Sequence, residues 1–99
     1  MDLVTIRKMV KAGAFNIVDH ALTEAFKDGI SVNDIISCIN HGKIIETYLD
    51  RKRCLIFLML NIDIPLHVVV DFSSEELDIT TAYIPDSRLW TNFQIRKKR

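Results

Sequence analysis

The strongest constraint on the fold lies in the second half of the sequence, where four strand-like runs follow one another with only short connections. The runs occupy residues 43–49, 54–60, 66–72 and 77–84. Each run is rich in β-branched and other apolar residues and is bounded by a polar or charged turn. Antiparallel strands can be joined by tight turns, whereas parallel neighbours need long crossover connections. We therefore expect a four-stranded antiparallel meander.

Three short helices are expected before the sheet, because apolar residues there recur at helical spacing between capping signals. The helices cover about residues 3–12, 20–28 and 32–41. Asp2, Asp19 and Ser31 stand at their N-cap positions, and a glycine follows each helix. Residues 15–18 are interpreted as a short apolar connector. Helices followed by strands predict the α+β class, here as a single domain of residues 1–99.

The formal net charge is zero, but the charges are unevenly distributed. Residues 1–87 hold eight Lys/Arg and thirteen Asp/Glu, whereas residues 88–99 hold five Lys/Arg and no acid. The basic tail at residues 91–99, with Arg88 just before it, is typical of an element that contacts the phosphates of RNA or another polyanion. A solvated chain end explains the same composition equally well.

Neither a membrane segment nor a metal centre is expected. The longest apolar run, residues 55–60, is far shorter than the ~20 residues needed to span a bilayer, and early charges leave no apolar core for a signal peptide. Cys38 and Cys54 lie outside any CxxC motif, and with three histidines they give no zinc-like spacing. We expect two reduced thiols in a cytoplasmic protein that uses no cofactor.

Two histidines are candidates for proton transfer. His20 lies in the first turn of the second helix, on the side opposite its apolar stripe, so it is not an obvious core residue. His67 and Asp71 share one face of the third strand, but four residues of strand span about 13 Å, so these side chains cannot touch each other. Each would need a partner from a neighbouring strand, and a purely structural role for His67 is the commoner explanation.

The corner formed by residues 83–90 has both a structural and a functional interpretation. Pro85 ends the last strand, Asp86 can cap a helical turn over residues 87–90, and Trp90 can pack over an edge of the sheet. In the functional interpretation Tyr83 donates a proton or stacks on a base, and Arg88 contacts phosphate. The charged turn at residues 51–53 is a second candidate for phosphate contact, or simply a hairpin tip.

These residues resemble the bacterial family known as domain of unknown function 4258, which is similar to the RelE/ParE-type toxin superfamily. The resemblance covers about residues 17–98, most of the chain. It rests on His-Ala-Leu at 20–22, Gly-Ile at 29–30, Gly-Lys-Ile-Ile-Glu-Thr-Tyr at 42–48, Pro-Leu-His-Val-Val-Val at 65–70, Thr-Thr-Ala-Tyr-Ile-Pro-Asp at 80–86, Trp90, Phe93 and Arg96.

The resemblance implies a RelE-like helix-plus-antiparallel-sheet fold and a place in a bacterial toxin–antitoxin pair. It also brings out a departure: family members often carry arginines four and eight residues after the histidine. Here those positions hold Glu24 and Asp28. If the arginines bind phosphate or a partner in the family, that property is lost or altered in this chain.

Two functions follow as hypotheses. The first is a metal-independent endoribonuclease in which the RNA 2′-hydroxyl attacks its own phosphate, so that the protein supplies acid, base and cations. His20 or His67 would then transfer protons with help from Tyr83, while Arg88, Arg96 and Lys97 hold phosphate, and the partners would be RNA or the ribosome and an antitoxin protein. The second is a non-catalytic protein-interaction module, favoured by the net-negative body and the acids at Glu24 and Asp28.

Overall fold

The computed structural model describes residues 1–98; Arg99, the last residue of the predicted basic tail, lies outside them. The elements are the helices α1 (Leu3–Lys11), α2 (Asp19–Lys27) and α3 (Val32–His41), and the strands β1 (Phe15–Ile17), β2 (Lys43–Tyr48), β3 (Arg53–Asn61), β4 (Ile64–Asp71), β5 (Leu77–Tyr83), β6 (Trp90–Thr91) and β7 (Ile95–Arg96). The α+β class and the three helices in the N-terminal part of the chain are thus confirmed, although the strand β1 lies between α1 and α2. Within residues 1–98, no helix has the length and apolar character needed to cross a membrane.

The helices begin where their caps predict, with one exception. The Asp2 carboxylate accepts the Thr5 N–H at 2.8 Å, and Ser31 forms a capping box with Asp34. Asp19, however, is the first helical residue rather than the N-cap of α2, and its side chain makes no cap. The preceding Val18 still donates its backbone N–H to the Ile79 carbonyl, so the chain leaves the sheet and enters the helix without a separate capping residue.

The main sheet has five strands in the order β1-β5-β4-β3-β2. The four long strands form the predicted antiparallel meander, but the expectation of a four-stranded sheet is wrong because β1 adds a parallel edge strand beside β5. The register Phe15↔Leu77 joins segments far apart in the sequence. A three-residue strand has no visible alternation, so its pairing left no local signal.

All three helices lie on one face of the sheet and cover the main core. The core is formed by Ile6 and Val10 of α1, Ala25 of α2, Ile35, Cys38 and Ile39 of α3, and the strand residues Cys54, Ile56, Leu66, Val68, Val70, Leu77, Ile79 and Ala82. Both cysteines are buried free thiols. Because strand side chains alternate between faces, the residues between these positions point to the opposite side of the sheet.

That opposite face is crossed by residues 85–98, which we call the C-terminal strap. Asp86 accepts the Arg88 N–H at 2.8 Å and its carbonyl accepts the Leu89 N–H, so residues 86–89 form a turn. Asp86 therefore caps a turn as expected, but the turn ends at Leu89 rather than residue 90, because Trp90 begins the small β6–β7 hairpin. Two-residue strands carry no periodic pattern, and a capped turn gives the same local sequence as a helix start.

Candidate functional site

The register of β4 and β5 places His67 directly opposite Tyr83 on the face crossed by the strap. The Tyr83 hydroxyl lies 3.1 Å from His67 Nδ1, and the rings meet edge to face with centroids 5.3 Å apart. This pair meets the requirement that a strand histidine find its partner on a neighbouring strand. Asp71 takes separate partners, Arg53 and Ser73.

The second ring nitrogen of His67 ties the strap to the sheet. His67 Nε2 lies 2.5 Å from the carbonyl oxygen of Phe93. Because a carbonyl only accepts, Nε2 carries a proton, and in the neutral ring Nδ1 is left to accept the Tyr83 O–H. Burial lowers the pKa of His67, which favours this neutral form. The side chain is 0% exposed, so substrate cannot reach it directly.

Tyr83 is the partly exposed member of the pair. Burial raises the pKa of its hydroxyl to about 12, so the phenol keeps its proton at neutral pH. The arrangement is a chain of two groups: the hydroxyl of a partly exposed tyrosine, and an imidazole nitrogen placed to accept the hydroxyl proton. Such a chain can exchange one proton with a bound molecule.

Aromatic rings enclose the imidazole on the remaining sides. Trp90 of the strap meets His67 edge to face at 4.6 Å, and Phe57 of β3 does so at 5.9 Å. Trp90 is only 3% exposed. Trp90 therefore packs on the face of the sheet, above His67. The prediction that it packs over an edge of the sheet is wrong.

Arg96 covers the outer side of Trp90 and links the strap to the edge strand β2. Its guanidinium lies 4.5 Å from the indole centroid and 3.0 Å from Glu46 Oε1. Tyr48 also donates to Glu46. Burial alone would raise the pKa of Glu46, but the hydrogen bonds from Arg96 and Tyr48 outweigh it, so the pKa is lowered. Sequence reasoning missed Glu46, Tyr48 and Phe57 because only the sheet register brings them to this face.

The predicted phosphate-binding residues share one cleft on the strap. A cavity of about 200 Å³ is lined by Arg88, Leu89, Arg96, Lys97 and Lys98. Arg88 is paired with Asp86 at 2.7 Å, and the interaction lowers the pKa of that carboxyl to about 2. The cleft is thus strongly cationic, and an anion entering it would compete with carboxylates already bound to its two arginines.

The profile of one protein family, described as "Domain of unknown function (DUF4258)", matches residues 17–84. This chain belongs to that family. The match runs from the end of β1 through β5, so α1 and the strap of this DUF4258 protein lie outside it. No curated protein and no solved structure gives a significant match to the chain.

In the DUF4258 protein, His20 lies apart from the His67–Tyr83 pair. It is exposed near the start of α2, beside the point where Val18 binds Ile79. The far end of α2 reaches Ile84, through a 3.1 Å bond from its N–H to Asp28. His20 and Asp28 are eight positions apart along α2 and its C-cap, a rise of about 12 Å, so His20 does not share a site with Tyr83.

Glu24 and Asp28, the two acids that stand where family members often carry arginines, bind the backbone of β5 and of Ile84 just after it. Glu24 Oε1 accepts the N–H of the buried Ala82 at 3.1 Å, and Asp28 accepts that of Ile84. Beyond Ile79 the strand has no β1 neighbour, so these two carboxylates continue the hydrogen bonding along its edge. This role needs an acceptor at each position, which arginine cannot provide.

A second cleft lies on the same sheet face as Tyr83. It has a volume of about 420 Å³ and is lined by Tyr48, Asp50, Arg51, Arg53, Val69 and Thr81. Arg53 is paired with Asp71 at 2.7 Å. The charged turn at residues 51–53 therefore contributes both to a hairpin tip and to this cleft. In the described part of the chain, no group of three His, Cys, Asp or Glu side chains is placed to hold a metal ion.

Proposed function

We propose that this DUF4258 protein is a cytoplasmic, toxin-like component of a bacterial toxin–antitoxin pair, with a RelE-like fold, that cleaves RNA without a metal. The observation that carries the proposal is the Tyr83–His67 hydrogen bond on the sheet face that also bears the cationic strap. A hydroxyl hydrogen-bonded to a neutral imidazole, with cations on the same face, supplies the proton acceptor and the positive charge that 2′-hydroxyl attack on phosphate requires.

In the proposed reaction the RNA 2′-oxygen attacks the adjacent phosphorus and the bond to the 5′-oxygen breaks. The 2′-hydroxyl proton passes to the Tyr83 oxygen as Tyr83 gives its own proton to His67 Nδ1. The imidazolium that forms is held by the Phe93 carbonyl at Nε2. The proton then returns through Tyr83 to the departing 5′-oxygen, which leaves a 2′,3′-cyclic phosphate and a 5′-hydroxyl.

Arg88, Arg96 and Lys97 are proposed to hold the phosphates of the bound RNA. They line one cleft together with Lys98, and Arg96 stands over Trp90, which itself contacts His67. Cations at this position would stabilise the negative charge that develops on the phosphate oxygens. Binding should weaken with salt in proportion to the number of phosphates contacted.

The test is cleavage of labelled single-stranded RNA by the purified protein. Tyr83→Phe keeps the ring and removes the hydroxyl, so we expect a rate loss of about 100-fold or more with the fold preserved. His20→Ala and the exposed His41→Ala serve as matched histidine controls and are expected to cleave at the parent rate. Full activity in Tyr83→Phe would refute the relay, and a loss in His20→Ala would move the proton transfer to His20.

A second candidate is a non-catalytic module that binds a partner protein through a toxin-like fold. It is favoured by the complete burial of His67 and by the satisfaction of both its nitrogens within the chain. Inducible expression in a bacterial host separates the two candidates. Growth arrest with RNA cleavage, relieved by the product of the adjacent gene, supports the toxin. Normal growth with a stable complex supports the module.

A further inference from the structure

A groove runs between α1 and α3, on the side of the sheet opposite Tyr83. It has a volume of about 640 Å³, more than either of the two clefts described above, and its lining includes Val4, Arg7, Lys8 and Lys11 of α1 and Ile36 of α3. We infer that this groove is the docking site for an acidic amphipathic helix of a partner protein. The inference does not depend on the ribonuclease proposal, because the two surfaces lie on opposite faces of the sheet.

The floor of the groove is apolar and partly open to solvent. Val4 is 61% exposed, and Ile36 of α3 is only partly buried. Val32 lies one turn before Ile36 on the same helix and is 41% exposed. An apolar groove between two adjacent helices is the kind of surface against which a third helix packs its own apolar stripe.

The rim of the groove carries positive charge. Lys8 and Lys11 follow Val4 at positions i+4 and i+7, so the three residues lie along one face of α1. No Asp or Glu lines the groove in the described part of the chain. The body of the protein is otherwise net negative, so this is a local reversal of charge. It fits a partner helix whose apolar stripe is flanked by Asp and Glu.

Arg7 joins the two helices that form the groove. Its Nε donates to the Ile39 carbonyl at 2.9 Å and its Nη2 to the Gly42 carbonyl at 2.7 Å. These carbonyls lie at the C-terminal end of α3, where they have no helical partner. Arg7 thereby fixes α1 against α3. Because the groove is already formed, a partner helix does not have to bring the two helices together when it binds.

The test uses a synthetic helical peptide of about 18 residues, with a leucine stripe flanked by glutamates, and a matched peptide with lysines in place of the glutamates. Binding is measured by fluorescence anisotropy with the full chain. We expect the acidic peptide to bind at least about tenfold more tightly than the basic one. Lys8→Glu/Lys11→Glu should reverse this preference, whereas the control Lys27→Glu/Arg51→Glu should not.

Equal binding of the two peptides, or an unchanged preference in Lys8→Glu/Lys11→Glu, overturns the inference. Circular dichroism checks the fold of that variant, and Lys8→Gln/Lys11→Gln, expected to lose part of the preference, replaces it if it unfolds. Two further outcomes would also overturn the inference that the groove binds a helix of another protein. One is self-association that Val4→Asp abolishes, and the other is tight binding to phosphatidylglycerol vesicles with the same lysine dependence.

Discussion

His67 of β4 and Phe93 of the C-terminal strap are joined by a 2.5 Å hydrogen bond from the ring Nε2 to the backbone carbonyl. This bond and the Tyr83 hydroxyl use both nitrogens of a fully buried imidazole. One side chain therefore fixes the position of the strap and, through its tautomer, the direction in which Tyr83 donates. The position of the strap and the proposed proton transfer from Tyr83 therefore both depend on His67.

Replacing His67 should destabilise the protein more than removing the Tyr83 hydroxyl. His67→Leu leaves the Phe93 carbonyl and the Tyr83 hydroxyl without their partner and should cost about 2–4 kcal/mol of unfolding free energy. Tyr83→Phe leaves only His67 Nδ1 without its partner and should cost about 1–2 kcal/mol. Urea denaturation followed by circular dichroism measures both values. Equal costs would mean that the Phe93 bond contributes little.

The unfolding free energy should fall when the pH drops below about 6.5. Burial lowers the pKa of His67 in the folded state below its usual value of 6.5. Between the folded and unfolded values the unfolded chain binds the proton and the folded chain does not, so stability is full above pH 6.5 and declines below it. Urea unfolding at pH values from about one unit above to about one unit below the usual histidine pKa measures the slope of the unfolding free energy against pH. The slope should be smaller in His67→Gln, and an equal slope in that variant would assign it to another group.

Glu24 should contribute to stability through its acceptor oxygen rather than its charge. Glu24→Ala leaves the buried Ala82 N–H without a partner and should cost about 1–2 kcal/mol in urea unfolding. Glu24→Gln keeps a carbonyl oxygen at the same place and should cost less than about 0.5 kcal/mol. Thr23→Ala, at the exposed neighbouring position, controls for helix propensity. A large loss in Glu24→Gln would show that charge matters instead.

Gly42, between α3 and β2, should not accept any side chain. A Cβ there would lie 2.5 Å from the Phe57 carbonyl oxygen and would also overlap the Cys38 carbonyl, both of them backbone atoms that cannot turn aside. We expect Gly42→Ala to cost about 3 kcal/mol or more. Gly13→Ala is the comparison: its φ of +75° is strained for alanine, but no atom lies within 4 Å, and we expect about 1–2 kcal/mol. The reverse order of the two losses would contradict the steric explanation.

Much of this fold could be predicted because its long elements carry their own signals. The boundaries of β2 to β5 follow from alternating apolar runs and polar turns, and α1 and α3 begin at capping residues. What could not be predicted depends on pairing between distant segments. β1 is defined only by its contact with β5, and Glu24 can bind the edge of β5 only because β1 ends at Ile17, opposite Ile79.

The candidate site shows the same division. Sequence patterns selected His67 and Tyr83 separately, and their contact needed only the register of neighbouring strands. The burial of His67 was not visible, because the strap that covers it is made of turns and two-residue strands without a periodic pattern. For His20, the pattern correctly gave an exposed helical position but no information on its distance from Tyr83.

Trp90 is the only tryptophan in the sequence, and the strap holds its indole 4.6 Å from the His67 ring. Indole emission responds to the polarity of its surroundings and is quenched by nearby imidazolium. The protein therefore carries an intrinsic optical probe at the junction between strap and sheet. A change in emission without loss of the helical dichroism signal would report lifting of the strap alone, and the two signals changing together would report unfolding of the whole chain.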